Sequence, residues 1–307
     1  MPRNVTTGLD GTPESLAAAD WAAREALLRG LPLRLVHAWK WQPYTYTPLG
    51  GVSLPPEAID TERSWAKRVR DEAEAVLSRR YADLRISASE VAEQPVPALL
   101  AAAEEAEVLV LGSRGLSGVA GFLVGSVALG VVARAERPVV LVRAGERADN
   151  EHLPDTGGIA SAATPYRDVV LGLDLENPDD TVIEYAFDAA ARRAANLRVV
   201  HGWTLPPYYY GYGGALDPEL NAELAAQVRR RLTDALRPWR GKFPGVEVNE
   251  QAVIGGAGSH LVDASRDAAL VVVGRRKRHT PFGSHVGAVT QAVLHHASAP
   301  VAVVPHD

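Results

Sequence analysis

The 307-residue chain contains no cysteine, which excludes disulfides, cysteine-ligated zinc, iron–sulfur centres and thiol nucleophiles together. It also lacks any uninterrupted apolar run near the roughly 20 residues that span a bilayer, so no membrane role is expected. The first residues, MPRNVTTGLDG, show no basic region leading into an apolar stretch. A secretory signal is therefore not expected, and the cytoplasm is the expected location. Strong charge is missing too: the formal net charge is −5, which gives no global pull toward nucleic acid or anionic lipid. What is present is an ordinary packed composition, 47% hydrophobic and 22% charged. At roughly 100–200 residues per domain, the length favours two domains.

The two halves repeat one another. The segment Leu33-Arg-Leu-Val-His37-Ala-Trp39 recurs as Leu197-Arg-Val-Val-His201-Gly-Trp203, and the same displacement carries Gly8-Leu-Asp10 onto Gly172-Leu-Asp174. Further along, Val108-Leu-Val-Leu-Gly112 matches Leu270-Val-Val-Val-Gly274, and Arg137 to Arg143 matches Ala299 to Pro305. Ordered anchors at nearly one spacing mark a tandem duplication. The expected organisation is a domain over 1–143, a linker over 144–165 and a second domain over 166–307. The linker reading rests on the small, polar, Gly/Pro-punctuated stretch Ala144 to Pro165.

Within each half, short Val/Leu runs such as Leu33 to Val36, Val108 to Leu111 and Val139 to Val142 have no polar alternation, as strands buried on both faces should. Helical segments lie between them. Thr12-Pro13 sets a capping hydroxyl before a first-turn proline, and the run it opens stops at Gly30. Asn177-Pro178 is read as the same start in the second copy. Glu57 to Tyr81, Pro218 to Trp239 and Pro97 to Glu105 read as further helices. The fold class that follows is α/β: two tandem doubly wound, Rossmann-like domains, each with a five-stranded parallel sheet and four flanking helices.

The segment after the fourth strand is the most informative. Gly112-Ser-Arg114-Gly115 runs through Gly118 and Gly121 to Gly125-Ser126, and a helical run begins at Val127. Glycines let backbone approach a ligand closely, and an opening helix presents unpaired N–H groups suited to phosphate. Ser126 can add a hydroxyl and Arg114 a charge. In open α/β sheets ligands sit beyond the carboxyl ends of strands where strand order reverses. Asp10 ends the first strand and Gly112 the fourth, so both border one crevice if those strands are neighbours. An aspartate there can accept hydrogen bonds from ribose or amino groups, or help position magnesium carried by phosphates.

These residues resemble the universal stress protein family, whose nucleotide-binding members carry Gly-x2-Gly-x9-Gly-(Ser/Thr), matched here by Gly112, Gly115, Gly125 and Ser126. The opening Gly8-Leu-Asp10-Gly11 and the strand end Val36-His37-Ala38 are also family-like, and the similarity covers nearly the whole chain outside the linker. The resemblance implies an adenine nucleotide alpha hydrolase-like fold and an ATP site. Gly8, Asp10 and the backbone at Ala38 would contact the nucleoside, while Gly112, Arg114, Gly115, Gly125, Ser126 and Val127 would hold the phosphates. It implies further that the copies pair through their last strands as an internal dimer, with chains then forming a homodimer.

The second half departs from the pattern. Lys277 stands where the second motif glycine belongs, Gly287 is followed by Ala288, and Asp174 is followed by Leu175. A weaker second site over Asp174, Gly202, Gly274, Lys277 and Gly287 is expected, binding ATP weakly or not at all. The alternative is that the basic run Arg275 to His279 reaches the triphosphate directly. That run otherwise reads as a solvated loop, and nucleic acid is not an expected partner. His37 and His201 read as strand-end packing residues, with a nucleotide or interface role as the alternative. His295-His296 reads as an exposed helix end. The aromatic stretches Trp39 to Tyr46 and Trp203 to Tyr212 read equally as surface loops and as lids or contact surfaces.

No P-loop, nucleophile elbow or kinase catalytic loop occurs in the sequence. The expectation is an ATP-binding regulator of stress or growth without fast turnover, the regulatory role coming from the resemblance alone. A slow magnesium-dependent ATPase and an interaction scaffold are the alternatives.

Overall fold

The computed structural model describes residues 3–39, 56–113, 124–204, 218–277 and 286–307. They form two compact units, Met1–Arg147 and Ala148–Asp307. The first runs β1 (Asn4–Leu9), α1 (Pro13–Arg29), β2 (Leu33–Ala38), α2 (Pro56–Arg80), β3 (Ile86–Val91), α3 (Pro95–Glu104), β4 (Ala106–Ser113), α4 (Ser126–Val132) and β5 (Val139–Arg143). Its strands pair in parallel in the order β3-β2-β1-β4-β5. The second runs β6 (Asp168–Gly172), α5 (Asp180–Arg192), β7 (Leu197–Trp203), α6 (Pro218–Lys242), β8 (Val248–Ile254), α7 (Ala257–Ala264), β9 (Ala268–Arg276), α8 (Ala288–His296) and β10 (Val301–His306). There the order is β8-β7-β6-β9-β10, again parallel. Each unit thus has the doubly wound topology that the alternating pattern predicts.

The continuous apolar runs are the cores. Val5, Leu33, Leu35, Val36, Val108, Leu109, Val110 and Val140 are all fully buried, as are Val169, Leu197, Val199 and Val271, the counterparts of Val5, Leu33, Leu35 and Leu109. Helices on both faces bury such strands twice, which explains why no polar alternation survives in them. Trp21 from α1 fills the first core at 1% exposure, whereas Phe187 from α5, stacked on Trp239 and Phe243 of the last turn of α6 and its end, fills the second.

Helix α1 begins and ends where its sequence signals lie. The Thr12 hydroxyl accepts from the Ser15 N–H at 3.2 Å, and Gly30 closes the helix at φ 64°, a left-handed conformation that glycine adopts without a Cβ penalty. The corresponding start in the second unit differs from expectation. Asp179, not Asn177, caps α5, its carboxylate accepting from Thr181 N–H at 2.8 Å and Val182 N–H at 3.3 Å. A carboxylate at the positive end of a helix gains from the dipole as well as from its hydrogen bonds, so the chain delays helix entry by two residues to use it.

Much of the segment between the copies is structured within the second unit. Ala148–Glu151 makes a single 3-10 turn, His152 bridges Tyr166 in antiparallel fashion, and the Asp155 carboxylate accepts from the Gly157 and Ile159 N–H groups at 2.8 and 2.9 Å. The Gly, Pro and Asp residues that suggest a tether instead build turns, and Glu151 and His152 are buried.

Asp179→Ala is expected to lower stability by about 1 kcal/mol, the usual cost of losing a helix cap, while Asn177→Ala changes it little. Chemical denaturation of the two variants measures this; equal losses would show that Asp179 is not the cap.

Candidate functional site

Strands β2 and β3 lie on one side of β1, and β4 and β5 on the other, so strand order reverses between β1 and β4. The loops leaving these two strands diverge to opposite faces and leave a crevice at their carboxyl ends. It is a cavity of about 240 Å³ whose lining includes Gly8, Asp10, Ala38, Gly112, Gly125, Ser126 and Val127. The structure therefore gathers in one place seven of the nine first-half residues singled out in the sequence. Arg114 and Gly115 lie outside the described residues, as do the aromatic stretches beyond Trp39 and Thr204.

Asp10 is exposed at the crevice. Its Oδ1 accepts from the Thr12 N–H at 3.0 Å and the Thr12 hydroxyl at 2.5 Å, and its own N–H donates to Ser15 Oγ at 3.3 Å. The carboxylate is thus oriented by the turn that starts α1. Behind it, buried His37 donates from Nδ1 to the Leu9 carbonyl at 2.8 Å. His201 makes the same bond to the Leu173 carbonyl at 2.9 Å. The repeated histidines hold the strand end that carries each aspartate. Asp174 repeats the turn as well, its Oδ1 accepting from the Glu176 N–H at 3.0 Å.

Gly112 owes its identity to packing. A Cβ on it would lie 2.6 Å from the Glu14 carbonyl carbon and 2.8 Å from the Ser15 nitrogen, so only glycine lets the first turn of α1 seat against β4. Gly8 similarly makes room for Leu111 and Leu99. Gly125, the N-cap of α4, is in extended conformation and has no side chain to cap the helix, and the first turn of α4, with Ser126, lines the crevice. Beside the root of the glycine loop, Arg143 pairs in register with Ser113. Burial pulls its guanidinium down to about 10, with Glu146 opposing the shift, so it stays cationic at neutral pH. Among the described residues no group of three or more His, Asp or Glu is arranged to hold a metal ion.

The second unit has a larger crevice, about 510 Å³, at the equivalent switch between β6 and β9. Asp174, Gly202, Gly274 and Gly287 line it. Lys277 does not: its Nζ lies 3.5 Å from Asp307 Oδ1, and its N–H donates to the His306 carbonyl at 2.6 Å. Among the described residues Arg276, from the basic run named in the sequence, lines the crevice together with His306 and Asp179, two residues that the sequence reading passed over. Arg276 was signalled by its alignment with Arg114; the other two had no motif to mark them. Thr290, one turn into α8, donates to the Gly274 carbonyl at 2.9 Å. His295 and His296 end α8 and stay outside both crevices.

Two parallel doubly wound units, each with a glycine-floored crevice at its switch point, define the class of Rossmann-like α/β proteins. The chain belongs to the universal stress protein family: the sequence model of that family matches residues 1–143 and 165–305. It is similar to a universal stress protein of Mycobacterium tuberculosis, 33% identical over 310 residues covering 97% of this chain and 96% of the relative. Among solved structures, a universal stress protein from Archaeoglobus fulgidus covers 100% of both chains at a TM-score of 0.68 and 17% identity. Another, a universal stress protein in complex with cAMP, covers 47% of this chain and 98% of its own at 28% identity and a TM-score of 0.34. No helix among the described residues is long and apolar enough to cross a membrane.

Gly112→Ala is expected to destabilise the protein by roughly 1–3 kcal/mol, since overpacking against fixed backbone has nowhere to relax. Gly245→Ala, where an added Cβ meets nothing within 4 Å, serves as the neutral control. Thermal melts that left Gly112→Ala unshifted would show that the close approach of α1 to β4 is wrong.

Proposed function

We propose that the chain is a nucleotide-dependent regulator whose first unit binds ATP in the crevice between β1 and β4. The observation that carries this reading is the convergence of Asp10, Ala38, Gly112, Gly125, Ser126 and Val127 on one cavity at the switch point. That convergence links residues about 100 positions apart in sequence to a family nucleotide motif. In the proposed complex Asp10 accepts from the ribose, the backbone at Ala38 meets the base, and Ser126 with the open N–H groups of α4 receives phosphate, Arg114 adding charge. Bound ATP would bring its own magnesium, held by phosphate oxygens next to Asp10.

The site favours holding a nucleotide over hydrolysing it. The Asp10 Oδ1 is occupied by the Thr12 N–H and hydroxyl, and among the described residues the carboxylates lining the crevice are Asp10 and Glu14. ATP kept with the protein and magnesium should be recovered intact after prolonged incubation; its steady conversion to ADP, absent in an Asp10→Asn variant, would favour the ATPase reading. The role in stress or growth and the homodimer come from the family. A solution mass of one chain at every concentration would remove the dimer.

Calorimetric titration with ATP tests the site itself. Ser126→Ala is expected to weaken binding about fivefold, one hydrogen bond's worth. Gly115→Lys, which copies the residue at the matching place in the second half, should weaken it more than tenfold. Unchanged affinity in Gly115→Lys would show that the glycine loop does not hold the phosphates.

A further inference from the structure

The two crevices differ at one place in a way the repeat does not explain. In the first unit the first turn of α1 covers Gly112. Helix α5 starts later relative to its strand, and the space over Gly274 is taken by the His306 imidazole, whose Cδ2 and Nε2 lie 2.9 Å from where a Gly274 Cβ would stand. His306 is the register partner of Arg276 on the adjacent parallel strand, so the two side chains leave the sheet on the same face, and both line the crevice. The matching positions in the first half are Ala144 and Arg114, so the imidazole belongs to the second unit alone.

We propose that Arg276 and His306 form a proton-linked phosphate site in the second crevice, which replaces the hydroxyl lost at Ala288. The inference rests on the reading that these crevices take phosphorylated ligands. Histidine is the side chain whose charge ordinarily changes between pH 5 and 8, and a doubly cationic pair at the strand ends matches a phosphoryl group. The other charged and titratable groups facing the imidazole are compatible with this. His306 Nδ1 has the Asp307 main-chain oxygen at 3.1 Å and Asp179 Oδ2 at 3.7 Å, while Asp179 Oδ1 is held by the N–H groups that start α5. Asp174 is turned to the Glu176 N–H, Lys277 to Asp307, and the His201 Nδ1 to the Leu173 carbonyl. His306 Nδ1 donates to the Asp307 main-chain oxygen, so Nε2, which stands over Gly274, is the nitrogen left to meet phosphate. The site loads a phosphorylated ligand as pH falls, and the first site, which lacks the imidazole, does not follow it.

The test is calorimetric titration of the full chain with ATP at pH 5.5 and pH 8.0, repeated for His306→Gln and Arg276→Gln after thermal melting has shown that both variants fold. The expected result is two classes of site, the second about tenfold tighter at pH 5.5. His306→Gln should retain only the pH dependence that ATP's own protonation gives to both sites, and Arg276→Gln should weaken the second class at both pH values. Adenosine, lacking phosphate, should show no pH dependence at that site. ATP binding to neither unit would defeat the nucleotide reading as a whole. Binding in the first unit with a second site that is silent at both pH values, or whose extra pH dependence survives in His306→Gln, would overturn this inference alone.

Discussion

The crevice of the first unit depends on the close seating of α1 at the sheet's switch point. Where β1 hands the chain to one face and β4 to the other, a crevice is unavoidable. Its floor, however, is set by how near α1 can come to β4. Gly112 removes the Cβ that would strike the Glu14 backbone at 2.6 Å, and that approach fixes the Asp10 turn, the Thr12 cap and the position of the carboxylate together. The glycine credited in the sequence with approaching a ligand thus serves first to bring helix and strand together, and the ligand space follows from that contact.

The duplication shows which parts of the design are indispensable. Both units keep the strand order, the aspartate turn and the histidine that donates to the carbonyl before it, at 2.8 Å in one copy and 2.9 Å in the other. These features organise a strand end whatever binds there. What has diverged is the periphery: the helix cap moves from Thr12 to Asp179, Gly11 becomes Leu175, Ser126 becomes Ala288 and an imidazole enters over Gly274. The second crevice is larger than the first, about 510 against 240 Å³. Loss of a motif has changed the chemistry of its walls without closing it.

The fold was largely legible in the residues because its signals are local and redundant. Buried Val/Leu runs mark parallel strands, and Thr12-Pro13 with Gly30 brackets α1 to the residue. Several residues lining the first crevice were legible for a different reason: glycines and Ser126 sit at fixed spacings that a family motif shares. Three kinds of information were not. The capping role of Asp179 depended on competition between two adjacent start signals, Asn177-Pro178 and Asp179, which only the packed geometry decides. The turns over 148–165 look like a tether in composition because turn-formers and linkers share residue types. The Arg276–His306 pairing arises from the register of two strands some thirty residues apart, and no linear spacing announces it.

The most direct test of the account is a backbone amide NMR titration with ATP and magnesium on the intact chain. The account predicts that the largest shift changes in the first unit fall on Asp10, Ala38 and the amides from Gly112 to Val127, with the β3 edge and the α2 face undisturbed. Shift changes that bypassed Asp10 and Ser126 and clustered elsewhere on the first unit would contradict it.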